Sequence, residues 1–359
     1  MNEITFKPAC RACLIGSFPV PSHEEAADLV AAHAPFVPSW AQLPALGERM
    51  IPQFSHGLPG VSISPEKVFV DTASEGFEGA LLDFYEDYLA VSEAERVPEG
   101  SRFALSPSIA PGFFTFLDRL RSGALSPFAV KGQVTGPFTL ATALTDQTGR
   151  ALFYDERLND CVAKFIALNA RFQAETLSAF GKPVFVFLDE PGLAGFGSSA
   201  LISISREAAL ACLSESINAV HAAGGLCGIH VCGNTDWSLV LESGIDIVNF
   251  DAFSYFDRFA AFADSIKAFA ARGGVIAWGI APTADLADIA AATEDSLHAL
   301  WLSHLAALEG LGLDRCGLLD RSLISPACGL GSLPVESALK VLALTRDLSA
   351  RIRRENGLS

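Results

Sequence analysis

The chain of 359 residues has no uninterrupted apolar stretch of the roughly 18 residues that a membrane-spanning helix requires. Its first residues, Met1-Asn2-Glu3-Ile4, have neither the basic start nor the apolar core of a signal peptide, so a cytoplasmic location is expected. Cations are scarce: 25 Lys+Arg stand against 41 Asp+Glu, for a net charge of −16, and no Lys/Arg run reverses this locally. Phosphate contacts need clustered cations, so nucleic acids and anionic membranes are excluded as expected partners. Eight cysteines in a chain this long do not make a disulfide scaffold. In a reducing compartment they are buried thiols or metal ligands. Internal repeats, low-complexity tracts and linkers are absent as well.

What is present is a large stock of core. Half the residues are hydrophobic and 18% are charged, which suits strands buried on both faces. Short apolar runs read as strands at Ala12–Gly16, Arg102–Ser106, Phe128–Val134, Val184–Leu188, Leu226–Val231, Ile245–Phe250, Gly274–Trp278 and Cys316–Leu319. Helical patterns alternate with them. Ser22-x-x-Glu25 is a capping-box signature for one such helix. Asp155–Phe180 sets Leu158, Cys161, Val162, Phe165, Ile166 and Phe172 on one stripe, and Gly181 and Pro183 end it. Further helices are expected after Ser205 and at Ala260–Ala271, Ile289–Leu308 and Pro334–Arg354. Eight strands alternating with helices predict an α/β fold, a (β/α)8 TIM barrel with extra N-terminal helices. One barrel domain is expected over 1–359, with an inserted helical segment at about 35–101 that includes a helix at Phe77–Ala90.

The unusual polar residues follow strands, at the end of a barrel where active sites assemble: Ser17, Asp189-Glu190, His230 and Cys232, Asp251, and Cys328. His230 and Cys232 are two residues apart on an apolar run and share one face of a strand. With Cys328, and Asp251 as a fourth ligand, they make a candidate metal site. The ligands are spread over about 100 residues rather than paired in close loops, which suits a catalytic zinc with an open position. The alternative reading is a buried histidine beside two ordinary cysteines. For Asp189 the alternative is a cap on the next helix, with Pro191 in its first turn. Cys10-x-x-Cys13 has no second pair nearby and reads as structural. Cys161, Cys212, Cys227 and Cys316 read as core.

Five motifs occur in order: Ile15-Gly16-Ser17-Phe18-Pro19, Lys131-Gly132-x-x-Thr135-Gly136-Pro137, Asp189-Glu190-Pro191, His230-x-Cys232 and Ser325-Pro326-x-Cys328-Gly329-Leu330. Together they resemble the C-terminal catalytic barrel of cobalamin-independent methionine synthase. The string His230-Val231-Cys232-Gly233-Asn234-Thr235 also resembles the zinc motif of methylcobalamin:coenzyme M methyltransferases. Both families share a superfamily with uroporphyrinogen decarboxylase. The resemblance spans roughly residues 12 to 350. It implies Zn2+ at His230, Cys232 and Cys328, with Asp251 standing where the synthases have glutamate, one methylene longer. It also implies homocysteine as acceptor: Asp189 holds the amino group, and Ile15 and Ser17 contact the carboxylate.

Two departures from the family bear on the methyl donor. The sequence lacks the second, N-terminal barrel that helps the synthases bind folate. The region after the seventh strand, Trp278-Gly279-Ile280-Ala281-Pro282-Thr283, lacks the histidine that the family uses to protonate a folate nitrogen. Both favour a methyl-corrinoid, free or on a partner corrinoid protein, since that donor needs no proton. The expected function is therefore a zinc-dependent thiol S-methyltransferase of methionine biosynthesis. Three alternatives stand beside it: a coenzyme M-like methyltransferase with another thiol acceptor, a non-catalytic thiol- or corrinoid-binding module, and a uroporphyrinogen decarboxylase-like enzyme. The last needs an N-terminal arginine cluster, and after Arg11 the next arginine is Arg49.

Overall fold

Runs of β-branched and aromatic residues, buried on both faces, build the central sheet of the computed structural model, which describes residues 4–64, 66–199 and 201–358. The strands among these residues, in chain order, are β1 (Arg11–Ala12), β2 (Val61–Ile63), β3 (Val68–Val70), β4 (Val130–Thr135), β5 (Thr145–Asp146), β6 (Val184–Asp189), β7 (Leu226–Val231), β8 (Ile247–Phe250), β9 (Val275–Ala281) and β10 (Ser322–Pro326). Seven of them form one parallel sheet in the order β1-β10-β9-β8-β7-β6-β4. Strands β2, β3 and β5 make a small separate sheet.

The two edges of the large sheet are joined by residues 36–42. On one side Phe128 N and Ala129 N donate to Phe36 O, and Lys131 N donates to Pro38 O. On the other, Gln42 N donates to Gly16 O and Phe18 N to Gln42 O. Parallel bridges pair Ser39 with Lys131 and Ser17 with Gln42. This segment is the eighth stave, and with it the sheet closes as a (β/α)8 barrel.

The seam is held partly by side chains. At Gln133 the backbone N donates to Gln173 Oε1 (3.2 Å), and Gln173 Nε2 donates to Gln133 O (2.9 Å). Trp40 Nε1 donates to the same Gln173 oxygen, while Gln133 Nε2 donates to Trp40 O, each at 3.0 Å. Gln173 rides on the helix Glu156–Ser178, which is capped by Asp155 and buries the expected apolar stripe. A helix side chain thus substitutes for ladder bonds that the irregular stave does not make.

Two expected strands are corrected. Arg102–Ser106 is a turn region, although Phe103 and Leu105 are buried. Its place in the barrel is taken by residues 36–42, where Pro38 interrupts any strand-like pattern. Cys316–Leu319 lies in a helix, Arg315–Asp320, because Asp314 accepts from Gly317 N and caps that turn. The strand follows at β10, and Cys316 is exposed rather than part of the core. The segment 35–101 carries the β2–β3 hairpin as well as the helix Phe77–Ser92, and its first residues belong to the barrel. Among the described residues, no helix is long and apolar enough to cross a membrane.

Two stability predictions follow from these contacts. Gln173→Leu leaves Gln133 N, Gln133 O and Trp40 Nε1 buried without partners, and is expected to cost ~3 kcal/mol by urea denaturation. His304 stacks on Phe256 with ring centroids 3.8 Å apart, and burial lowers its pKa from 6.5 to about 4. The folded ring refuses a proton that the unfolded chain accepts. Stability is therefore unaffected by this group above about pH 7, and falls as the pH drops toward 4. His304→Phe is expected to flatten that decline when urea midpoints at about pH 7 and about pH 5 are compared.

Candidate metal centre

Strand register sets the site. Asp189 ends β6 opposite His230 of β7, which in turn faces Asn249 of β8. Cys232 follows β7 by one residue and Cys328 follows β10 by two, so all these groups gather at the C-terminal mouth of the barrel. One ring nitrogen of His230, Cys232 Sγ and Cys328 Sγ lie within 4.8 Å of one another. His230 is buried at 3% exposure, and its Nδ1 is 2.5 Å from Asn249 Oδ1. Its Nε2 is buried and has no hydrogen-bond partner. The neighbouring Cys328 thiol, and then His230, lower the pKa of Cys232, while the Cys232 sulfur and burial raise that of Cys328.

A cavity of about 350 Å³ opens above the trio. Ile15, Ser17 and Asp189 line it together with the three candidate ligands, so the structure brings these six sequence-predicted residues together. Ser17 Oγ accepts from Gly331 N at 3.2 Å. A Cβ on Gly329 would stand 2.2 Å from that oxygen, so the glycine permits the loop carrying Cys328 to close against Ser17. Asp189 Oδ1 is buried without a partner, and desolvation raises this carboxyl to about 6, against the opposing pull of His230 and Lys131.

The neighbouring acid has a different task. Glu190 turns away from the cavity and accepts from Phe138 N (3.0 Å), Thr139 N (2.7 Å) and Thr139 Oγ1 (2.5 Å), anchoring the helix Pro137–Ala143. Asp251 is not part of the trio. It caps the helix Ala252–Ala260, accepting from Ser254 N at 2.8 Å, and burial raises its pKa. Lys131 is fully buried, donates to Ile15 O at 2.6 Å and to Gln133 Oε1 at 3.1 Å, and lies 4.8 Å from the Phe187 ring centroid. It supports the cavity floor from below.

Sequence reasoning missed the opposite wall, Gln42, Glu48, Arg49 and Met50, and it missed Asn249. The wall follows an unrecognised strand. Asn249 had a visible signal, a lone carboxamide inside Ile247-Val248-Asn249-Phe250.

No family model matches the chain, and no curated protein matches it. Among solved structures, a methyltransferase from Methanosarcina mazei aligns with TM-score 0.54 and 14% identity, over 96% of this chain and 94% of that one. A B12-independent methionine synthase from Shewanella sp. W3-18-1, in complex with selenomethionine, aligns with TM-score 0.43 and 17% identity. That match covers 64% of each chain, less than two thirds of the synthase's own length. A GH113 beta-mannanase from Alicyclobacillus acidocaldarius aligns with TM-score 0.38 and 11% identity over 69% of this chain and 78% of that one. The likeness is one of fold.

The chemistry of the trio is open to direct measurement. In metal-free protein near neutral pH, iodoacetamide is expected to label Cys232 and the exposed Cys316, and to spare buried Cys10, Cys13, Cys161, Cys212 and Cys227. Added zinc should protect Cys232 and leave Cys316 labelling unchanged, as read by peptide mass spectrometry.

Proposed function

We propose that this protein is a zinc-dependent thiol S-methyltransferase that methylates homocysteine from a methyl-corrinoid donor. The observation that carries this reading is the trio at the cavity floor, a partnerless buried imidazole nitrogen with two cysteine sulfurs within 4.8 Å. One imidazole and two thiolates are a zinc donor set, and three protein ligands leave a fourth position open. Zinc held there would bind the acceptor thiol and keep it as thiolate at neutral pH.

The remaining groups select and orient the acceptor. Asp189 offers a partnerless oxygen at the cavity wall, suited to an ammonium group. Ser17 Oγ accepts from Gly331 N, so its own proton is available to a substrate carboxylate. These two groups support a zwitterionic amino-acid thiol over a simple one. Enclosure by Ile15, Pro191 and Met50 limits the water around the reacting sulfur.

A methyl-corrinoid would supply a methyl group that passes to the acceptor sulfur as the carbon–cobalt bond breaks with its electron pair left on cobalt, so no proton would have to be delivered to the leaving group. Residues 278–283, which end β9 and begin the next loop, contain no histidine, which supports this donor over a folate.

The test is metal content and turnover. The protein is expected to bind one zinc per chain, and His230→Ala, Cys232→Ala and Cys328→Ala each to lose it. Methylcobalamin with homocysteine should yield methionine; no product with homocysteine or any other thiol would sink the proposal and leave a binding protein. Asp189→Asn is expected to raise the KM for homocysteine about 10–100-fold, the worth of one charged hydrogen bond, and to leave the KM for amine-free coenzyme M unchanged. The opposite pattern, turnover of coenzyme M alone, would identify the other acceptor class.

A further inference from the structure

Asn249 is fully buried in β8 and makes three hydrogen bonds that admit one orientation of its carboxamide. Its Nδ2 is 2.9 Å from Ala277 O, a carbonyl that can only accept, so the nitrogen must lie on that side. The second Nδ2 proton goes to Ser325 Oγ at 2.8 Å, and Ser325 gives its own proton to Pro326 O at 3.0 Å. Both amide protons are then committed. The remaining atom, Oδ1, can only accept, and it sits 2.5 Å from His230 Nδ1. Nδ1 therefore carries a ring hydrogen, and in the neutral imidazole that a metal binds the lone pair is on Nε2, the nitrogen with no partner.

The same side chain also spans the site. It connects His230 on β7 to Ala277 on β9 and Ser325 on β10, and Cys328 leaves β10 three residues after Ser325. We infer that Asn249 is the positioning residue of the metal centre, fixing the His230 tautomer and bracing the strand of His230 and Cys232 against that of Cys328. The inference rests on the metal-site reading above. It goes beyond it by assigning the order of the trio to one uncharged residue that touches neither metal nor substrate.

The test is zinc affinity of the full chain, measured by competition with a chromophoric chelator, with thermal stability measured in parallel. Asn249→Ala is expected to weaken zinc binding about 10–100-fold. Asn249→Asp still accepts from Nδ1 but gives no proton to Ala277 O or Ser325 Oγ. It is expected to lose thermal stability while binding zinc as tightly as the unsubstituted chain, or tighter. Unchanged affinity in Asn249→Ala overturns the inference. So does an Asn249→Asp variant whose affinity falls as far as that of the alanine variant, since packing alone would then explain both. Where Asn249→Ala does not fold, the aspartate variant decides. Absence of zinc binding by the unsubstituted chain would instead overturn the metal reading itself.

Discussion

Lys131 N donates to Pro38 O and Gln42 N to Gly16 O, and through such bonds residues 36–42 tie together two strand edges that would otherwise lie open. Closure has a consequence at the mouth of the barrel. It brings the segment after β1, with Ile15 and Ser17, to one cavity with Asp189 of β6 and His230 of β7. The last residue of the closing stave, Gln42, and the chain beyond it, at Glu48, Arg49 and Met50, then supply the outer wall. Cavity and seam are thus products of the same contacts. The Gln133–Gln173–Trp40 bonds belong to this account because they satisfy the seam where its backbone ladder lapses.

Burying charge in such a barrel is costly unless each group is matched, and the acids and the lysine here are matched in different ways. Lys131 spends its protons on Ile15 O and Gln133 Oε1. Glu190 takes three donors at a helix start, and Asp251 caps another helix. Asp189 Oδ1 and His230 Nε2 stand apart. Among the described buried side-chain atoms without a hydrogen-bond partner, these two border the cavity. Unpaired polar atoms that converge on a shared space are what a site for an absent ligand looks like, because a ligand is what satisfies them.

The sequence was legible where local chemistry and the fold agree. The helix Glu156–Ser178 declared its capping aspartate and its apolar stripe, β6 is apolar up to its final Asp189, and β7 is apolar apart from Gly228 and His230. Ile15, Ser17, Asp189, His230, Cys232 and Cys328 could be proposed from motifs and do share one cavity. The eighth stave was hidden because Pro38 removes a donor from a segment that reads as a loop. Strand β10 was misplaced because its Ser322 and Ser325 look like surface residues; both are buried, on opposite faces of the strand, where they accept from Trp278 Nε1 and Asn249 Nδ2. Asp251 was proposed as a ligand because it follows a strand; the same position also starts a helix, where one carboxylate oxygen accepts from Ser254 N.

The distribution of ligands has a physical logic of its own. A small domain that depends on zinc for its fold needs four closed ligands, because the ion replaces a core it lacks. Here the sheet supplies a large apolar core: β6, β8 and β9 are buried throughout, and β7 at every residue but its first. The trio therefore need not hold the chain together, and three ligands from strands already locked in register suffice. Hydrogen bonds through Asn249 link His230 on β7 to Ala277 on β9 and to Ser325 on β10. In the proposed function such a three-ligand cradle would leave a fourth position for an incoming sulfur, in the cavity that Asp189 and Ser17 also line. Under the proposed function, stability supplied by the barrel is what would allow a metal held by the trio to keep one position for a substrate.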